Sequence, residues 1–81
     1  MDGFVSVFGK QPLNKDFVAW SLGLTQSLGG TEVYKDEQSF KVVFQDLEQA
    51  DKFLHFASEA IALNGFDVLI NFDEVISIPT A

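Results

Sequence analysis

Asp51, His55 and Glu59 stand four residues apart, so on a helix an imidazole is flanked by two carboxylates along one stripe. Such a stripe could orient the imidazole or contribute to a metal site. It lies opposite the apolar positions of the same segment, and metal ligands converge from several elements, so the expectation is a solvated charged face. Asp36-Glu37 and Asp73-Glu74 could serve as cation ligands or as an acid and a base. No phosphate-cradling glycine loop or second catalytic group accompanies them, and adjacent acids of this kind form turns. Ser6, Ser21, Ser27, Ser39, Ser58 and Ser77 lack a nucleophile motif, and with a single histidine a Ser-His-Asp arrangement is not expected. Gly29-Gly30 follows an expected helix, whereas phosphate loops precede one. The residues point away from an enzyme, and no cofactor or metal is expected.

The elements that would position these residues follow from periodicity. Gln38 to Phe72 reads strand, helix, strand, the apolar period passing from two to about 3.6 and back to two. Before it, Gly3 to Phe8 has the β-branched and aromatic content of a first strand. Asn14 is placed to cap a helix whose buried stripe is expected at Phe17, Trp20, Leu24 and Leu28, with Gly23 allowing a close backbone approach. Gly29-Gly30 ends that helix, one of them left-handed. Thr31 to Lys35 makes a second strand with Val33 inward, and Asp36-Glu37 turns into a third with Phe40, Val42 and Phe44 on one face. Asp46 and Gln49 form a capping-box variant at the start of the second helix, whose stripe is Leu47, Ala50, Phe53, Leu54, Ala57, Ala60 and Ile61. Asn64-Gly65 ends it. Phe66, Val68, Ile70 and Phe72 share a face of the fourth strand; Asp73-Glu74 then turns the chain toward a possible short fifth strand at Val75 to Ile78.

The order strand, helix, strand, strand, helix, strand predicts an α+β two-layer sandwich, a ferredoxin-like βαββαβ unit over residues 1–81. Its antiparallel sheet takes the order 4-1-3-2, with both helices on one face. A chain of this length buries only roughly 60% of its unfolded surface, and 47% of its residues are apolar. The absence of cysteine removes disulfides and thiolate metal sites and fits a cytoplasmic setting. No apolar run reaches the roughly 18 residues of a membrane span, and no membrane association is expected. Twelve acids against five lysines give a net charge of −7, which opposes direct nucleic-acid binding.

The run from Phe40 through Ala62-Leu63-Asn64-Gly65 resembles the second half of an RNA recognition motif in its strand, acid-started helix and Leu-Asn-Gly corner. That resemblance implies the same fold. Such domains stack bases on exposed aromatics of the two central strands, whereas Ser39 and Lys41 occupy the exposed third-strand positions here. Glu37 stands at the leading basic position and Gln38 at the glycine, and RNA binding is not carried over. The chain is also similar to small-ligand regulatory domains of the ACT type, with Gly9-Lys10-Gln11-Pro12 where their Asp-Arg-Pro-Gly signature stands.

The functional expectation is a small acidic protein-interaction module, a homodimer or a binder of a basic protein partner. The interface is expected at Phe4, Phe8, Val43, Val75, Ile76 and Ile78. The alternative is a small-ligand domain using the sheet face or dimer cleft, and a third reading is nucleic-acid mimicry. Trp20 is expected in the core. Two apolar lines, Phe56 with Leu63 and Val18 with Leu22, are expected to touch across the helix pair.

Overall fold

A computed structural model of the chain describes residues 2–75, with the side chains of residues 74 and 75 outside that description. The elements run β1 (Asp2–Gly9), α1 (Lys15–Ser27), β2 (Thr31–Lys35), β3 (Ser39–Phe44), α2 (Leu47–Asn64) and β4 (Val68–Val75). The sheet is four-stranded and antiparallel in the order β2-β3-β1-β4, as the sequence pattern predicts for a ferredoxin-like fold.

Alternation decides which side of each strand is covered. Gly3, Val5 and Val7 of β1 and Phe40, Val42 and Phe44 of β3 are buried beneath the helices, where Phe17, Ala50, Phe53 and Ala57 meet them. Each fully buried Val or Phe adds about 1.5–3 kcal/mol relative to leaving it exposed. Two glycines set the spacing. A Cβ on Gly3 would lie 2.8 Å from the Ala50 Cβ, and one on Gly30 would lie 2.4 Å from the Phe44 ring. The backbone of β1 and the entry to β2 therefore approach their neighbours more closely than any larger residue allows.

The helix ends are local chemistry. Asn14 Oδ1 accepts from the Phe17 amide at 3.0 Å, and Asp46 Oδ1 accepts from the Glu48 amide at 2.9 Å. The expected return bond from Gln49 does not form: its Oε1 is buried with no hydrogen-bond partner. Both helices stop at a glycine with positive φ, Gly29 at 78° and Gly65 at 67°. In each case the two amides after the last turn bond back, Gly29 to Gln26 and Gly30 to Thr25, then Gly65 to Ala62 and Phe66 to Ile61.

Several expectations are corrected by the packing. The buried stripe of α1 is Phe17, Ser21 and Thr25, while Trp20 is 43% exposed. Small side chains at positions 21 and 25 let the helix settle onto the sheet, and this rotates Trp20 toward α2. Gly23 is no contact point, since a Cβ there would meet nothing within 4 Å. Val33 is half exposed rather than inward, because the pairing of β2 with β3 shifts register between Glu32 and Tyr34 and leaves Val33 at the irregularity. Asp73-Glu74 does not turn the chain. β4 runs through both residues to Val75, which is opposite Asp2, so β1 supplies ladder partners that outweigh the turn preference of the acids. Of the expected fifth strand, Val75 thus belongs to β4, and positions 76–78 lie outside the described residues.

Candidate interaction surfaces

Three surfaces combine apolar area with shape. The first is the sheet face without helices. Ladder pairing puts Val43, Phe4 and Asp73 in one row, Lys41, Ser6 and Asn71 in the next, and Ser39, Phe8 and Leu69 in a third. Lys41 Nζ stands 5.0 Å from the centroid of the Phe4 ring, close enough for cation–π attraction. Phe4 and Val43 are half-buried, whereas Phe8 is exposed and Leu69 is 63% exposed. Lys41 and Asp73 are the charged members of these rows, so acidity is concentrated elsewhere. The structure thus brings Phe4, Phe8 and Val43 onto one face. Val75 is at the far end of β4, while Ile76 and Ile78 lie outside the described residues. Leu69 is an exposed member that the sequence pattern leaves out, and its signal is position on the last-paired strand of the sheet. Phe72 pairs with Val5 and lies beside Gly3 on the helix side, on the face the sequence assigns to it with Phe66, Val68 and Ile70.

The second surface is a cleft of about 430 Å³ between the start of α1 and the end of α2, lined by Asn14, Asp16, Phe17, Trp20, Ala60, Asn64 and Phe66. Phe56 and Leu63 share the Ala60 side of α2 at helical spacing and are exposed, Leu63 by 80%. They do not cover Val18 and Leu22 as expected. Those two residues line a third surface on the opposite flank of α1. This groove of about 760 Å³ lies against Lys35, Asp36 and Glu37 and is floored by Pro12, Leu13 and Ala19.

The β2–β3 turn beside that groove is tied by one carboxylate. Asp36 Oδ1 accepts from the amides of Gln38 and Ser39 at 2.8 and 2.7 Å and from Ser39 Oγ at 3.0 Å. Tyr34 Oη donates to Asp36 Oδ2. The tyrosine bond, followed by the Gln38 amide, holds the Asp36 carboxyl below its usual 3.8. The same bond, with the charge behind it, raises the Tyr34 phenol above 10.0. This is turn construction, as the sequence suggests for Asp36-Glu37. The Asp51, His55 and Glu59 stripe faces solvent: His55 Nε2 is 3.9 Å from Glu59 Oε2, with 76% and 58% of their side chains exposed.

Among the described residues no helix is long and apolar enough to cross a membrane. No family model matches the chain, and no curated protein matches it either. A solved structure described as a novel crystal structure of a hypothetical protein from Neisseria gonorrhoeae is similar to it, with a TM-score of 0.57 and 11% identity. The match covers 86% of this chain and 45% of that one, so the chain spans about half that protein's length, and at this identity the likeness shows the fold alone.

Proposed function

We propose that the chain is a non-enzymatic protein-interaction module that pairs with its own copy along the β4 edge, with the open face of Phe4, Phe8 and Val43 extending the contact. The observation that carries this reading is the character of β4. Among the described residues it is the terminal strand of the sheet, eight residues long and regularly paired to β1 on its inner side, with Leu69 exposed on the face without helices. Such an edge is a template for another strand, and antiparallel pairing about a two-fold axis satisfies both copies at once. The adjoining rows are poor in charge and hold two phenylalanines, the composition found at interface centres.

The net charge of −7 sets the condition for the test, since mutual repulsion weakens as salt screens it. Light scattering over a concentration series at moderate salt is expected to rise from the 9.0 kDa of one chain toward twice that mass. A mass that stays at one chain throughout rejects the proposal.

A further inference from the structure

The cleft between α1 and α2 has walls suited to one kind of ligand. Phe17 stands with its ring centroid 6.2 Å from that of Trp20 and 5.2 Å from that of Phe66, and Trp20 leaves part of its ring system open to solvent. Asp16 precedes Trp20 by one helical turn and lines the same space. A neighbouring hollow of about 340 Å³ shares Asn14, Phe17 and Phe66 and adds Asp67. One carboxylate therefore lines each of two hollows that share aromatic walls, and no Lys, Arg or His lines either. Lys15, the nearest cation in sequence, lines the groove on the other flank of α1. Asn64 Nδ2 donates to the Ala60 carbonyl, and its Oδ1 retains acceptor capacity. The last turn of α2 carries no basic residue to meet its negative pole, while the positive pole of α1 at this end already has Asn14 and Asp16.

The geometry points to a binding site for a small organic ammonium ion bearing alkyl groups on nitrogen, held between Trp20 and the Asp16 carboxylate. Aromatic faces attract a cation electrostatically, and recognition of alkylated ammonium by aromatic walls is a recurrent use of that attraction. A hard inorganic cation takes about six or more oxygens, which these walls do not converge. A neutral apolar ligand would leave the carboxylates unanswered. The cleft volume falls within the roughly 300–1,000 Å³ of small-molecule sites.

Choline titrated into the full chain tests this, read by the fluorescence of Trp20, the single tryptophan, and by backbone amide shifts. The controls are 3,3-dimethyl-1-butanol, which has the same shape without the charge, and sodium chloride at matched ionic strength. A saturable response to choline is expected, with shifts confined to the amides of residues 14–20 and 60–67. Affinity for the uncharged analogue is expected to be at least about tenfold weaker, the upper range of a cation–π contribution. Asp16→Asn, at an exposed position, is expected to weaken choline several-fold while leaving the far-ultraviolet circular dichroism unchanged. Equal binding of the uncharged analogue, a response reproduced by sodium chloride, or shifts centred elsewhere overturns the inference. Light scattering on the same samples reports the oligomeric state, so loss of this site and loss of the β4 pairing are read separately.

Discussion

β2 and β4 each have one side without a strand neighbour among the described residues, yet they treat that side differently. β2 is five residues long, interrupted by the register shift at Val33, and carries Glu32 and Lys35. A bulge and charges on a short edge strand are devices that discourage pairing with another chain. β4 has eight residues, an unbroken ladder to β1, and the run Val68-Leu69-Ile70 before its first charge at Asp73. The same fold thus presents one blunted edge and one regular edge. Sheet topology makes both strands terminal; side-chain chemistry separates them.

The anchoring of the blunted edge gives the largest expected effect. The chain enters β2 at Gly30, where the Phe44 ring occupies the space of a side chain. Gly30→Ala is expected to destabilise by about 1–3 kcal/mol, the range for overpacking a filled site, seen as a lower urea midpoint with an unchanged slope. A midpoint within error of the parent would mean that Phe44 yields and the entry to β2 is not tight.

Next comes the contrast itself. Leu69→Lys on β4 is expected to weaken self-association by about tenfold or more, a change of about 1.4 kcal/mol or above, whereas Val33→Lys on β2 leaves it unaltered. Sedimentation velocity across concentrations distinguishes them. Equal effects at both positions would erase the difference between the edges.

A smaller effect concerns the turn that holds β2 to β3. The folded Asp36 carboxyl lies below its ordinary 3.8, chiefly through the Tyr34 hydroxyl, so its contribution is present above that value and is lost as pH falls through the lowered one. The folded Tyr34 phenol is raised, so its contribution is present below 10.0 and is lost as pH rises through the raised value. Tyr34→Phe is expected to flatten both limbs of the stability profile, measured by urea unfolding from acid to alkaline pH. Unaltered limbs would show that the turn does not depend on this bond.

The smallest effect lies under α1, the helix that backs this side of the sheet. Ser21 is fully buried and its Oγ has no hydrogen-bond partner. Ser21→Ala removes an unanswered polar group at little change of volume, so stability is expected to be unchanged or up to about 1 kcal/mol higher. A clear loss in thermal unfolding would show that the hydroxyl is bonded in solution.

What the sequence by itself determined is what depends on near neighbours along the chain. The caps at Asn14 and Asp46 and the left-handed stops at Gly29 and Gly65 follow from chemistry within a few residues. The alternation of Phe40, Val42 and Phe44 and the stripe of Ala50, Phe53 and Ala57 follow from element period. Order and period together fixed the sheet topology, because short connections and right-handed crossovers leave few arrangements. Tertiary structure alone decided the rest. Trp20 and Ser21 both sit at helical spacing, and which of them turns inward depends on how closely α1 approaches the sheet. Val33 lost its inward place to a register shift set by pairing with β3. Asp73-Glu74 stayed in strand because β1 extends far enough to pair with it. The aromatic cleft joins Phe17 to Phe66 across about fifty residues of chain, a proximity created by packing the two helices side by side, which no local pattern encodes.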